Sequence, residues 1–306
     1  MATNTEVFDR SAFVSDFSTL CRSVDAPCSD QMVKQILAAF DEYLDDAYVW
    51  TRCTSKPGDV VNFRLAFHGR WIDTISISAA AGLLSTDDWL HQVAGAWSLR
   101  GNAEQWCDFD PSRGLAKSWI YFHRLQPVEA ILRTPGLPAP VAARLPELQA
   151  AGLDSVNFAA VDYSNKSMNV YFLLPGGLTP KRAATYVALA GSKPPADADI
   201  QIMNDLMQPV HTFGVTIVPE TGHIPRVAFY AAVKNADTFS PLNERMRKFF
   251  AEAPSRDPQK LHIVSWSYGA GDSKTYHKGE ASYSGYSEEF SRDMYLRWIE
   301  DVTWAT

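Results

Sequence analysis

Val156-Asn157-Phe158-Ala159-Ala160-Val161 and Met168-Asn169-Val170-Tyr171-Phe172-Leu173, joined through Ser164-Asn165-Lys166, form the stretch that decides the fold. Both arms are rich in β-branched and aromatic residues, and the polar trio between them reads as the turn of an antiparallel hairpin. In the second arm Met168, Val170 and Phe172 share one face and Asn169 and Tyr171 the other, because successive side chains of a strand point to opposite sides. A lone hairpin is marginal in water, so its partners must lie elsewhere in the chain.

Turn clusters recur at Lys56-Pro57-Gly58-Asp59, Asp110-Pro111-Ser112-Arg113-Gly114, Ser164-Asn165-Lys166, Glu220-Thr221-Gly222 and Gly269-Ala270-Gly271-Asp272. Their centres fall near residues 57, 112, 165, 221 and 271, a spacing of 50 to 56 residues. Such regularity marks an internal structural repeat. Further β-rich segments flank the clusters: Val60–Phe67, Lys117–Phe122, Val215–Val218, Arg226–Ala231, His262–Tyr268 and Tyr276–Tyr283. Helical signals fill the intervals. Ser29 stands as a cap before Met32, Ile36, Leu37, Phe40 and Leu44, and Thr179-Pro180 opens a helix over Ala183, Tyr186, Val187 and Leu189. Thr86–Leu99, Pro127–Arg133, Pro140–Ala151, Pro241–Ala253 and Ser287–Trp304 read likewise. Five repeats of helix, hairpin and helix give an α+β fold with ten antiparallel strands. A barrel fills with its own side chains at about eight strands, so one of ten keeps a lumen. No linker interrupts residues 1–306, and a single domain is expected.

Alternation says what such a lumen holds. Val61, Phe63, Leu65 and Phe67 share one face of their strand, and Asn62, Arg64 and Ala66 the other. Lys117, Trp119 and Tyr121 share a face, as do Lys278 and Glu280, while Arg226, Ala228 and Tyr230 lie opposite Val227, Phe229 and Ala231. The strands thus combine an apolar face fit to receive helices with a face carrying a cation beside a tyrosine or an amide. Helices outside turn those cations inward, whereas an inverted sheet leaves them in solvent; one strand alone does not decide between the two. Inward cations repel one another unless an anion joins them, and Arg and Lys both suit phosphate. The inward reading gives a barrel that binds a phosphorylated small molecule beside aromatic rings.

Other classes are disfavoured. Net charge is −7, from 28 Lys+Arg against 35 Asp+Glu, which argues against a nucleic-acid or anionic-membrane surface. No apolar run reaches the roughly 18 residues of a membrane span. Met1–Arg10 is polar, with Glu6 and Asp9, and reads as no secretory signal, so a cytoplasmic location is expected. Cys21, Cys28, Cys53 and Cys107 have no Cys-x-x-Cys spacing and read as reduced thiols. No P-loop, dinucleotide turn or zinc-binding spacing is found. Asp45-Asp46 and Asp87-Asp88 lack the third aspartate of an Asp-rich magnesium motif. The seven histidines are scattered and none is given a catalytic role, a substrate contact by His262 or His277 staying open. Trp266 and Tyr268 read as barrel wall, with Trp266 facing the substrate as the alternative.

Asp108-Phe109-Asp110, Arg113-Gly114-Leu115-Ala116-Lys117-Ser118-Trp119, Phe158-Ala159-Ala160-Val161-Asp162-Tyr163, Asn169-Val170-Tyr171-Phe172 and Glu220-Thr221-Gly222-His223-Ile224 resemble the bacterial ABBA-type aromatic prenyltransferases, those of the clorobiocin and novobiocin pathways above all. Leu137-Pro138-Ala139-Pro140-Val141 and Trp266-Ser267-Tyr268-Gly269 extend the likeness over about residues 8 to 285. The family fold is a ten-stranded antiparallel barrel of five αββα units inside a ring of helices (the PT barrel), in agreement with the hairpin count. The resemblance implies an enzyme of secondary metabolism that moves a dimethylallyl group from dimethylallyl diphosphate to a ring carbon of an aromatic acceptor.

By the same resemblance Arg52, Arg64, Lys117, Arg226 and Lys278 look like the diphosphate cradle, with hydrogen bonds added by Asn169, Tyr171 and Tyr230. Tyr171, Tyr230 and, by proximity alone, Tyr283 would shield the allylic cation. The magnesium-dependent branch carries an aspartate where Arg64 stands, so neither a metal nor another cofactor is expected. Asn157 and Glu280 would mark the acceptor end. Glu280 would be the catalytic group that raises electron density on the ring, or else a salt-bridge partner of Lys278. Enzymes acting on 4-hydroxyphenylpyruvate carry an arginine where Asn157 stands. Asparagine favours a hydroxynaphthalene or, as the preferred reading, a dihydrophenazine carboxylic acid that finds its anion partner elsewhere, with 4-hydroxyphenylpyruvate kept as an alternative. The expected partners are these small molecules alone, and a monomer is expected. A non-catalytic carrier of aromatic ligands has no use for so many lumen cations, and a phosphohydrolase would want a metal site or a positioned nucleophile.

Overall fold

The computed structural model describes residues 7–85, 89–101, 103–206, 210–233, 242–271, 275–292 and 294. Ten strands follow one another: β1 (Tyr48–Thr54), β2 (Asn62–Ala66), β3 (Glu104–Asp110), β4 (Gly114–Pro127), β5 (Ser155–Asp162), β6 (Ser167–Pro175), β7 (Val210–Ile217), β8 (Arg226–Val233), β9 (His262–Tyr268) and β10 (Tyr276–Ser284). Each is hydrogen-bonded to its neighbours in the chain, and β1 pairs antiparallel with β10, which closes the barrel. Closure leaves no exposed sheet edge.

Among the described residues the helices include α1 (Arg10–Ser23), α2 (Asp30–Ala39), α3 (Thr74–Ala80), α4 (Leu90–Ser98), α5 (Val128–Leu132), α6 (Ala139–Ala142), α7 (Leu145–Ala150), α8 (Pro180–Ala188), α9 (Asp197–Leu206) and α10 (Glu244–Glu252), and residues 287–292 are helical as well. Several start at a side-chain cap, among them α1, α2, α3, α8 and α10. Ser29 accepts from the Met32 N–H and Thr179 from the Arg182 N–H, satisfying amides that the first turn leaves unpaired. The segment expected as one helix over Pro140–Ala151 is split into α6 and α7, and Pro146 near the start of α7 lacks the N–H that a continuous helix would need. The stripe from Ser29 to Leu44 likewise ends as α2 at Ala39 and passes into a 3-10 turn over Asp41–Asp46. Residues 86–88, 241, 272, 293 and 295–304 of the expected segments lie outside the described residues.

The helices pack outside, on the apolar strand faces. Phe63 of β2 lies 5.2 Å from the Phe13 ring and 5.3 Å from that of Phe17, both on α1. On β10, Gly279 lets α10 come close: a Cβ there would stand 2.5 Å from the Phe250 ring and 2.6 Å from Met246 Cε. Helices outside settle the sense of the sheet, so Asn62, Arg64 and Ala66 point inward. β1 and β3 were absent from the segments read as strands. In β3 the run Glu104-Gln105-Trp106-Cys107-Asp108 is poor in strand formers, yet all seven residues of the strand are buried. Among the described residues no helix is long and apolar enough to cross a membrane.

Candidate active site

β2, β3 and β4 place Arg64, Asp108 and Lys117 at one level of the barrel, and the rings of β3 and β4 lie toward one end from it. The register Arg64↔Asp108↔Lys117 forms the charged layer, and Trp106↔Trp119 followed by Glu104↔Tyr121 continues the wall. Across the barrel, Asn169 precedes Tyr171 on β6 and Arg226 precedes Tyr230 on β8, in the same sense.

At the charged end Arg64 Nε donates to Asp108 Oδ1 at 2.7 Å and its Nη1 to Glu280 Oε2 at 2.9 Å. Arg52 Nη1 donates to Asp108 Oδ2 at 3.1 Å. Burial pushes the Asp108 carboxyl up, but Arg64 and Arg52 outweigh it and hold the group below its ordinary range. Lys117 Nζ lies 3.6 Å from Asp162 Oδ2. Asp162 itself accepts from the backbone N–H of Asn165 at 2.9 Å, so the turn that opens the hairpin also aims a carboxylate. Arg226 donates to Thr216 Oγ1 at 3.1 Å and to the Tyr276 hydroxyl, and Thr216 donates to Asn169 Oδ1 at 2.8 Å. Lys278 Nζ donates to the Tyr230 hydroxyl at 3.2 Å.

Arg52, Arg64, Lys117, Arg226 and Lys278 thus face three carboxylates, and the excess positive charge shows in the lysines. Burial, with Arg52 and Arg226 adding repulsion, brings Lys117 down to about 8 although Asp162 and Asp108 oppose the shift. Burial, then Arg226, Arg52 and Lys117, drives Lys278 well below the usual lysine range. A multiply charged anion would relieve this repulsion. Several buried wall groups also lack a protein partner: Asn169 Nδ2 and the hydroxyls of Ser265 and Ser267. Polar groups left so in a native interior call for a ligand or solvent.

Above the cations lie the rings. Tyr171 stacks on Trp119 at 4.9 Å and meets Tyr230 edge-on at 5.8 Å, while the Arg64 guanidinium lies 4.5 Å from the Trp119 ring centre. Gly214 makes room for this group, since a Cβ there would fall 2.8 Å from the Tyr171 ring and 3.3 Å from that of Tyr230. Tyr121, Trp106 and Phe158 continue the wall with centroids 4.9 to 5.5 Å apart, and Phe290 closes on Trp106 at 5.4 Å. Such faces attract a cation by about 0.5–2 kcal/mol each. The interior therefore pairs a cationic layer with a layer of buried aromatic rings.

The structure brings together Arg52, Arg64, Lys117, Asn169, Tyr171, Arg226, Tyr230, Lys278 and Glu280 in this one interior. Tyr283 is a correction. Its ring packs edge-on against Phe13 at 4.9 Å and its hydroxyl donates to Asp16 Oδ2 at 3.0 Å, so it belongs to the outer contact with α1. The cause is parity: Lys278 and Glu280 point inward, hence Tyr283 points out. Glu280 is bound by Arg64, and the expected alternative partner, Lys278, donates elsewhere. Asn157 is the extra residue of a bulge in β5, between Val156 and Phe158, so alternation does not assign its face. It is buried, and both polar atoms of its amide lack a protein partner. Trp266 joins the outer core, and His277, its register partner, shares that face; His262 packs on Phe250 at 5.2 Å. Asp108, Asp162 and Tyr276 were missed as site residues. Asp108 had a signal in Asp108-Phe109-Asp110, whose alternation sets both carboxylates opposite a phenylalanine.

The model of the family described as Aromatic prenyltransferase Orf2 matches residues 8–293. An aromatic prenyltransferase of Arthroderma otae is 36% identical over 280 residues, 90% of this chain and 88% of the relative. A 4-hydroxyphenylpyruvate 3-dimethylallyltransferase of Streptomyces niveus is 36% identical over 311 residues, 96% of this chain and 95% of the relative. A 5,10-dihydrophenazine-1-carboxylate 9-dimethylallyltransferase of Streptomyces anulatus is 26% identical over 190 residues, 58% of this chain and 62% of the relative. With a matching fold, a cationic layer and an aromatic layer already in place, the chain belongs to the aromatic prenyltransferase family.

Proposed function

We propose that the protein transfers a dimethylallyl group from dimethylallyl diphosphate to a ring carbon of a planar aromatic acceptor, by electrophilic substitution without a catalytic metal. The observation that carries this is the continuity of the two layers, with the Arg64 guanidinium touching Asp108 and Glu280 on one side and the Trp119 face on the other. The diphosphate would lie among Arg52, Arg64, Lys117, Arg226 and Lys278, whose fixed charges stabilise the leaving group as its charge develops. Trp119, Tyr171 and Tyr230 would flank the allylic cation and exclude the water that would trap it as an alcohol. The ring carbon then attacks and the ring proton leaves. Arg64 occupies the space between Asp108 and Glu280 where carboxylates would otherwise receive a divalent ion, which supports the metal-free reading.

Asn157 supports an acceptor other than 4-hydroxyphenylpyruvate, because it offers no charge where the enzymes acting on that compound carry an arginine; an acceptor whose carboxylate is paired elsewhere needs none there. The relative that acts on 5,10-dihydrophenazine-1-carboxylate makes that compound the first to try. Purified protein should be incubated with dimethylallyl diphosphate and, in turn, dihydrophenazine carboxylate, a dihydroxynaphthalene and 4-hydroxyphenylpyruvate. A product heavier than one acceptor by a dimethylallyl group is expected. Binding of acceptors without any such product would instead indicate a carrier.

A further inference from the structure

Three ionisable side chains meet at the aromatic end of the interior, and the chemistry described so far uses none of them. Glu104 of β3 is 2% exposed and accepts from the Gly69 N–H at 2.7 Å and the Trp106 indole N–H at 3.2 Å. His123 Nε2 lies 3.0 Å from its Oε1, and His68 Nδ1 lies 3.2 Å from the same carboxylate. Alternation aims Glu104 and His123 inward, since Glu104 is two residues from Trp106 and His123 two from Tyr121, while His68, in the turn that follows β2, is placed beside them by its contact with Glu104. The His68 ring is 5.0 Å from Phe290 and 6.2 Å from Tyr121. The ionisable groups facing it are Glu104 from β3 and His123 and the Tyr121 phenol from β4.

Four donors occupy Glu104, so its part is to orient. A carboxylate on one imidazole nitrogen fixes the N–H there, leaves the lone pair on the other nitrogen, and stabilises the imidazolium when that nitrogen takes a proton. Of the two histidines His68 is deeper, its side chain 11% exposed against 26% for His123. Glu280, expected to enrich the acceptor ring, is instead held by Arg64 in the charged layer. The aromatic end thus has two imidazoles held on one carboxylate.

We propose that His68, positioned by Glu104 and flanked by His123, takes the acidic proton of the acceptor, which is therefore an arene bearing an ionisable O–H or ring N–H. This rests on the prenyl-transfer reading above. The O–H or N–H bond breaks, its proton passes to His68 Nε2, and the electron pair stays on the heteroatom and is delocalised into the ring. The C–O bond of the prenyl diphosphate breaks with its pair going to the diphosphate, and the enriched ring carbon forms the new C–C bond. The proton of that carbon leaves with the diphosphate, and His68 returns its own proton to the heteroatom.

The probe is 1,6-dihydroxynaphthalene, whose naphtholate absorbance is followed against pH in the presence of the protein. Bound to the unaltered protein it should ionise at least about one pH unit below the free compound, and His68→Gln or Glu104→Gln should abolish that difference. Unchanged affinity for inorganic diphosphate shows that the barrel is intact in each variant. Turnover of the probe with dimethylallyl diphosphate should fall about a hundredfold in His68→Gln, KM little altered, with loss of the acid limb of the pH profile. An arm needing no variant compares 1,6-dimethoxynaphthalene, which should bind yet be prenylated at least about tenfold more slowly. Equal ionisation in the unaltered and His68→Gln proteins, or equal turnover of the dimethoxy compound, overturns the proposal. If no acceptor is prenylated but the bound probe still ionises early, the transfer reading fails and the proton-accepting site stands.

Discussion

Arg64 and Asp108 face each other in register on adjacent strands and form a two-point ion pair, Nε to Oδ1 at 2.7 Å and Nη2 to Oδ2 at 3.3 Å. Asp108 also receives Arg52, so one buried carboxylate holds two cations of the anion layer. Removing one partner of a buried ion pair leaves charge unmatched and costs about 3–5 kcal/mol. Asp108→Asn should lower stability by about that amount in urea unfolding and slow turnover. Inorganic diphosphate should raise the melting temperature more in the variant than in the unaltered protein, because the anion replaces the lost charge. Equal ligand-induced shifts would place Asp108 outside the cradle.

Proton linkage gives a second test. Lys117 is brought down to about 8 by burial and neighbouring cations, and a bound diphosphate favours the charged form and raises it again. Binding should therefore take up protons, and affinity should fall as pH rises through about 8. Calorimetry in two buffers of different ionisation enthalpy reads the uptake directly. Equal heats in both buffers at pH 8 would contradict the assignment.

With Arg64 lodged between Asp108 and Glu280, product should form at an undiminished rate in excess EDTA. Activity lost to EDTA and restored by magnesium would overturn metal independence.

Gly214→Ala tests the aromatic layer. The added methyl would meet the Tyr171 ring at 2.8 Å, and overpacking of this kind costs about 1–3 kcal/mol. Turnover should fall as Tyr171 is displaced, while diphosphate affinity, set in the layer below, stays the same. Unaltered melting and unaltered kcat would show that the ring yields freely and shields nothing.

Acceptor choice is tested at Asn157. Asn157→Arg should improve 4-hydroxyphenylpyruvate relative to the preferred acceptor, by roughly tenfold at most. One charge-assisted hydrogen bond contributes about 1.5–3 kcal/mol, and burying the guanidinium offsets part of it. Unchanged ratios of kcat/KM for the two acceptors would remove Asn157 from the pocket.

The chain by itself determined the repeat and which side chains share a face of each strand. Turn chemistry is local, and the period of two that separates Phe63 from Arg64, or Val227 from Arg226, needs only neighbouring residues to be read. The same parity already set Tyr283 against Lys278 and Glu280; proximity in sequence was the weaker guide. β3 escaped because Glu104, Gln105 and Asp108 dilute the strand signal of Trp106 and Phe109, so its place came from pairing with β2 and β4. What only the tertiary structure decided is which charge meets which. Arg64 finds Asp108 44 residues away and Glu280 216 residues away, the latter because β1 and β10 close the ring. Likewise the turn after β2 and the strands β3 and β4 each supply one member of the His68, Glu104 and His123 group. Periodicity fixes the face on which a side chain lies, but its partner depends on register, bulges and barrel closure, which arise from long-range hydrogen bonding between strands.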